Sequence, residues 1–237
     1  MFAGRCFLCR GDAGDALDRA HILCGACERS LAGAAAPRCP VCALASRGNQ
    51  VCGRCLRDRP HFDATRCALD YRFPVDVLVQ SLKFRGELAI AGLFGRLLHR
   101  HVESVALLVP DFMLPVPLSA ARMRERGYNQ AMEIARALAA EFVRSAPDEG
   151  GPRLDADLCR RTRDTAPQAD LPWKQRAMNL RAAFACEQPL AGKNIAVLDD
   201  VMTTGATLNE VAKTLKSAGA VRIVNWVVAR TPAAGDQ

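Results

Sequence analysis

Four Cys-X-X-Cys pairs crowd into the first 55 residues: Cys6/Cys9, Cys24/Cys27, Cys39/Cys42 and Cys52/Cys55. Thiolates two residues apart can turn back on one metal ion, and such knuckles recur in tetrahedral zinc sites. One pair alone would also suit a redox dithiol. Four in so short a stretch indicate structural Zn²⁺, with all eight cysteines as candidate ligands. A disulfide scaffold is the competing frame, but it belongs to secreted chains. The start, Met1-Phe2-Ala3-Gly4-Arg5-Cys6, lacks the apolar core of a signal peptide. Sequential pairing and an interleaved cross-brace use the same cysteines, and their spacing does not separate the two. His21 and His61 are read as solvent-facing loop residues, and Cys67, Cys159 and Cys186 as inert, partly buried thiols.

The composition changes near residue 70. Residues 1–68 form a cysteine-rich zinc-binding module without sustained periodicity, as expected where metal replaces an apolar core. Residues 69–237 form a second domain in which helix and strand patterns alternate. Val75, Leu78, Val79 and Leu82 trace one helix face, and Ile90, Leu93, Phe94, Leu97 and Leu98 another. Ile134, Ala135, Leu138 and Phe142 trace a third, and Leu208, Val211, Ala212 and Leu215 a fourth that stops at Gly219. Strands are expected over Val105–Pro117, feeding a loop, and over Asn194–Leu198 and Val221–Ala229. This alternation argues for an α/β fold with a parallel sheet covered on both faces. Half of the 237 residues are apolar, so the chain can bury a core. No run reaches the roughly 18 apolar residues of a membrane helix, so the expectation is a cytoplasmic protein without membrane insertion.

The formal charge is +7. Two four-thiolate zinc sites would each add about −2 near the N-terminus. The remaining basic excess clusters in Arg122, Arg124, Arg126, Arg160, Arg161 and Arg163, with Lys83 and Arg85. Such a cluster suits phosphate, since a guanidinium binds it bidentately; it also suits a solvated basic face. Aromatics are only 5% of the chain, few for stacking on nucleic-acid bases.

The stretch richest in chemistry is Ile195-Ala196-Val197-Leu198-Asp199-Asp200-Val201-Met202-Thr203-Thr204-Gly205-Ala206-Thr207. It describes a buried strand ending in two carboxylates, then a small-residue loop opening a helix. Backbone N–H groups and hydroxyls from Thr203 to Thr207 can cradle a phosphate at that helix N-terminus, and Gly205 admits a close backbone approach. Adjacent carboxylates beside a phosphate make sense as acceptors for the vicinal hydroxyls of a phosphorylated ribose.

This segment resembles the 5-phosphoribosyl-1-pyrophosphate (PRPP) signature of type I phosphoribosyltransferases. Pro115-Val116-Pro117-Leu118 with Arg122, Arg124 and Arg126-Gly127-Tyr128-Asn129-Gln130-Ala131 resembles a block of the ComF family of competence-associated, phosphoribosyltransferase-like proteins. So do Arg161-Thr162-Arg163-Asp164-Thr165 with Gln168, Leu171, Arg176, Asn179, Leu180 and Phe184. The four knuckles and Leu82-Lys83-Phe84-Arg85-Gly86 extend the likeness over nearly the whole chain. The resemblance implies a Rossmann-like parallel sheet of the type I phosphoribosyltransferases carrying a small N-terminal zinc module. It implies that Asp199 and Asp200 hold the ribose hydroxyls and act in catalysis, that Val201 to Thr207 complete the PRPP site, and that Mg²⁺ arrives with PRPP. Arg122 and Arg126, with Arg124, would approach pyrophosphate, while Arg161 and Arg163 would belong to a hood over the site. Two functions stay open. One is phosphoribosyl transfer to an unknown acceptor, linked to DNA uptake. The other is non-catalytic handling of single-stranded DNA through the knuckles and basic blocks, with PRPP or a related phosphorylated ribose as a regulatory ligand. The knuckles could also dock proteins of the DNA-uptake machinery.

Overall fold

A computed structural model describes residues 4–13, 22–31, 37–103, 109–148, 150–163 and 183–233. Strands β1 (Ala64–Asp70), β2 (Phe112–Pro115), β3 (Arg153–Leu154), β4 (Arg160–Arg161), β5 (Phe184–Ala185), β6 (Asn194–Met202) and β7 (Arg222–Arg230) fall into two sheets. Five of them form a parallel sheet in the order β1-β7-β6-β2-β3, and β4 with β5 forms a separate antiparallel ribbon. The helices are α1 (Gly25–Leu31), α2 (Gly53–Arg57), α3 (Val75–Phe84), α4 (Ala89–Glu103), α5 (Ala120–Arg126), α6 (Gln130–Ser145) and α7 (Ala206–Ser217).

A parallel sheet has to bury both faces, and the central strands alternate accordingly. Ala196, Leu198, Trp226 and Val228 meet one core with the apolar faces of α3, α4 and α6. Ile195, Val197, Ile223 and Val227 meet the other, built on Leu208, Val211, Ala212 and Leu215 of α7. The helix faces expected from periodicity are the buried ones, except that Phe142 is only partly covered. Helices α4 and α6 cross closely. A Cβ on Gly95 would lie 2.7 Å from Ala137 Cβ and 2.9 Å from the Ala137 backbone, so only glycine fits.

Cysteine ligands belong to both cores: Cys6 packs with Leu23 and Leu31 against α3 and α4, and Cys39, Cys42 and Cys55 pack against the α7 side. The expected boundary at residues 68/69 falls inside β1, which pairs with β7 from Ala64↔Val224 to Asp70↔Arg230.

All three expected strands have different limits, the one read over Val221–Ala229 by a single residue at each end, as Arg222–Arg230. The strand read over Val105–Pro117 is confined to Phe112–Pro115. Residues 104–108 lie outside the described ones, Val109 is 62% exposed and precedes Pro110, and Pro117 lies beyond the strand end. Proline cannot donate to a ladder and holds strands short. The strand read over Asn194–Leu198 runs on to Met202, so both carboxylates belong to it; Asp199 pairs with Val227 and Met202 with Arg230. The chain leaves β2 outward to β3 but leaves β6 toward β7, so crossover direction reverses between β2 and β6. In open α/β sheets, ligands bind at the carboxyl ends of strands flanking such a reversal.

Candidate functional site

The eight knuckle cysteines gather into two groups, Cys6, Cys9, Cys24, Cys27 and Cys39, Cys42, Cys52, Cys55, each with its sulfurs within 4.8 Å of one another. The pairing is therefore sequential. A tetrahedron of Zn–S bonds of about 2.3 Å has edges of roughly 3.8 Å, and the Cys9–Cys24 and Cys42–Cys52 sulfurs lie 3.7 and 3.6 Å apart. Both groups fit Zn²⁺. Their thiols titrate unequally. Burial opposes ionisation of Cys6, but amides of Cys9, Cys24 and Leu8 bring it down to about 6. Cys27, hydrogen-bonded to Cys24 and partly desolvated, is pushed up to about 12. Four thiolates at this spacing need a cation to coexist. His61 is exposed as expected, Cys67 and Cys159 are buried, and Cys186 is half-buried; His21 lies outside the described residues.

The second centre is the end of β6. Asp199 accepts a hydrogen bond from the Asp200 amide at 2.9 Å, and Asp200 accepts one from the Val201 amide at 2.8 Å. Asp200 is 3% exposed, and Lys83 Nζ at the end of α3 lies 2.6 Å from its Oδ2. Desolvation first, then the Asp200 charge, push Asp199 well above the usual carboxylate range. Burial acts the same way on Asp200, but Lys83 outweighs it and holds that carboxyl below its ordinary value. The two carboxyls are thus shifted in opposite directions, Asp199 up and Asp200 down.

Beyond Met202 the chain turns through exposed Thr203 and half-buried Thr204 to Gly205, which caps α7 at φ +81°. That φ favours glycine, and a Cβ there would also lie 2.6 Å from Met202 Cε. Thr204 Oγ1 accepts from the Ala206 amide at 3.3 Å. Three residues, Thr203 to Gly205, therefore separate the last residue of β6 from the first of α7.

The loop after β2 lies next to this end, because Pro115 is in register with Leu198 and the Val116 amide donates to the Leu198 carbonyl. Ser119 caps α5 through the Arg122 amide, and that helix carries Arg122, Arg124 and Arg126, the first and last one turn apart on the same face. Arg126 is half-buried, donates to Gln130 Oε1 at 2.9 Å, and lies over the Phe84 ring at 5.1 Å. Arg161 lies in β4 of the antiparallel ribbon and Arg163 two residues beyond it. Arg161 donates to the Arg163 carbonyl and lies over Phe184. The ribbon leads into residues 164–182, which lie outside the described ones and include Thr165, Gln168, Leu171, Arg176, Asn179 and Leu180.

Several residues take positions in this site that the sequence did not assign. Lys83, read as part of a basic cluster suited to phosphate, is the ion-pair partner of Asp200. Tyr128 donates its hydroxyl to the Leu82 carbonyl, anchoring the end of α3 beside Lys83. Asn129 caps α6 and donates Nδ2 to the Val116 carbonyl at 3.0 Å, pinning the β2 loop. The Gly127-Tyr128-Asn129 run thus positions both neighbours of the strand end.

The double zinc ribbon domain family matches residues 1–56. The chain is similar to DNA utilization protein YhgH of Salmonella typhimurium, at 35% identity over 96% of this chain and 97% of that one. It is similar also to competence protein F of Haemophilus influenzae, at 32% identity over 97% and 98%. The chain belongs to the competence protein F family. A purine phosphoribosyltransferase from Pyrococcus horikoshii aligns over 60% of this chain and 81% of that one, at 14% identity and a TM-score of 0.33, a likeness that carries no argument. The family's cysteine-rich region is thus two tetracysteine centres in this member. No described helix is long and apolar enough to cross a membrane.

Two outcomes are expected. Freshly purified protein carries about two zinc ions per chain by elemental analysis, and well under one would contradict the tetrahedral sites. The second concerns Asp199. A carboxyl whose folded pKa is raised confers stability below its unfolded value, about 3.9, and that contribution is lost as pH rises through the folded value. Asp199→Asn keeps the acceptor for the Asp200 amide, so the variant melts near wild type at pH 4 and above it at pH 8. A margin that shrinks with pH would show that Asp199 is the charged member of the pair.

Proposed function

We propose that the protein binds PRPP with Mg²⁺ at the carboxyl ends of β2 and β6 and transfers its phosphoribosyl group to an acceptor, in a role connected with DNA uptake. The observation that carries this reading is the buried Asp200, ion-paired to Lys83 at a strand end that runs directly into a glycine-capped helix start. Such a site offers acceptors for vicinal hydroxyls and donors for a phosphate on the same short segment. Asp199 and Asp200 take the ribose hydroxyls, and Thr203, Thr204, Gly205, Ala206 and Thr207 take the 5′-phosphate, with Val201 and Met202 joining the two halves. Arg122 and Arg126 supply charge for pyrophosphate. Mg²⁺ prefers oxygen ligands and rarely gets an all-protein cage, so it would be held largely by pyrophosphate and ribose oxygens and would neutralise the leaving group. In the transfer, the bond from the anomeric carbon to pyrophosphate breaks and pyrophosphate departs with the electron pair. The acceptor's lone pair forms the new bond, and its proton is released. The carboxylate pair favours the positive charge that grows on the ribose. The names of the relatives, competence protein F and DNA utilization protein, support the setting.

A second reading, handling of single-stranded DNA, has its own support. A cleft of about 760 Å³ between the two tetracysteine centres and β1 is lined by Arg38, Arg66 and Arg72 together with Asp70, which pairs with Arg38 at 2.8 Å and with Arg72 at 3.5 Å, and Phe73 is 78% exposed at its rim. Basic groups beside an exposed ring suit a phosphodiester strand with stacked bases.

Calorimetric titration of PRPP with Mg²⁺ tests the first reading. Wild type is expected to bind, and Asp199→Asn/Asp200→Asn, checked for an intact melting transition, is expected to lose at least about tenfold in affinity, some 1.4 kcal/mol. An unresponsive wild type would overturn it. Single-stranded DNA binding that falls steeply with salt and is unchanged in the double variant would then favour the second.

A further inference from the structure

Arg230, the last residue of β7, is 2% exposed. Its guanidinium is occupied by backbone acceptors from two parts of the chain. Nε donates to the carbonyl of Cys42, a ligand of the second tetracysteine site, at 2.9 Å. Nη1 donates to the Met202 carbonyl at 2.8 Å and to the Thr203 carbonyl. A second arginine makes the same link from the other knuckle. Arg54, in α2 between ligands Cys52 and Cys55, donates Nη2 to the Thr204 carbonyl at 2.9 Å. The chain following α2 adds a third tie, the His61 amide donating to Asn209 Oδ1 of α7 at 2.7 Å.

These contacts determine an orientation. In a trans peptide the carbonyl and the following N–H point in opposite directions within one plane. With the Thr203 and Thr204 carbonyls held toward Arg230 and Arg54, the N–H groups of Thr204 and Gly205 turn away from the zinc module. The other tetracysteine site lies across the sheet, against α3 and α4, with Glu28 of α1 paired to Arg100 of α4.

We infer that the second tetracysteine site is a brace for the phosphate loop, with Arg230 and Arg54 as positioning residues, so that zinc at Cys39, Cys42, Cys52 and Cys55 and a phosphorylated ribose at Thr203–Thr207 bind with positive coupling. The ligand's identity rests on the function proposed above; the brace itself does not. Coupling is reciprocal, so PRPP must also retain zinc at this site.

The test compares full-length wild type, Cys9→Ser, Cys52→Ser, Arg54→Ala and Arg54→Lys by amide hydrogen exchange over residues 200–209, by PRPP–Mg²⁺ titration, and by zinc release to a chelator. Cys52→Ser is expected to deprotect 203–207 and weaken PRPP at least about fivefold, while Cys9→Ser, one thiolate short at the other site, does neither. Arg54→Ala, which removes no ligand, is expected to keep both zinc ions, weaken PRPP and abolish the slowing of zinc release by PRPP, with partial rescue in Arg54→Lys. Equal protection of 203–207 in Cys52→Ser and Cys9→Ser, or an Arg54→Ala loop as protected as wild type, overturns the brace. A wild type that binds no PRPP sinks the ligand reading alone, and the exchange data still decide the brace.

Discussion

A parallel sheet buries both faces or does not form, and here each face is completed by a metal-binding segment as well as by helices. On the α3–α4–α6 side the contribution is Cys6 with Leu23 and Leu31; on the α7 side it is Cys39, Cys42, Ala43 and Cys55. The N-terminal module is thus part of both cores. The zinc-site free energy, on the order of 10 kcal/mol in small zinc domains, is therefore available to the sheet that carries the proposed ligand site. Strand β1 shows the same dependence. Its Thr65 amide donates to the Pro40 carbonyl, and Thr65 Oγ1 donates to the Val41 carbonyl, so the knuckle shields an edge strand.

Crossover direction reverses between β2 and β6, and the residues at that end of the sheet manage charge with few groups. Lys83 pairs with Asp200 and holds its carboxyl below the ordinary value, while burial raises Asp199. Tyr128 and Asn129 hold the two segments on either side of that pair, and Gly205 starts the helix that follows it. The arginines divide by location. Arg122, Arg124 and Arg126 lie in α5, Arg161 in β4, and Arg54 and Arg230 behind the loop, where they bind carbonyls.

What was legible in the sequence was local. Cysteine spacing points to zinc because four pairs of ligands two residues apart can each turn back on a metal, and the Asp199–Thr207 run shows strand, carboxylates, glycine and helix following in nine residues. Helix faces follow from a 3.6-residue period. Relations across the chain were hidden. The choice between sequential and interleaved pairing depends on how the knuckles dock. Strand β1 reads as the tail of a cysteine-rich module, since Thr65, Arg66 and Cys67 show no clear period, and only pairing with β7 makes it a strand. Arg230 looks like any terminal strand arginine, and its partners lie 188 and 28 residues away. Lys83 and Asp200 are likewise joined only by the fold.

The most direct measurement is a crystal structure of the protein with PRPP and Mg²⁺. The expected result is a 5′-phosphate seated on the amides and hydroxyls of Thr203–Thr207, ribose hydroxyls on Asp199 and Asp200, and the Thr203 and Thr204 carbonyls still held by Arg230 and Arg54. PRPP lodged instead in the arginine-lined cleft along β1, with the end of β6 holding only the Lys83 ion pair, would contradict it.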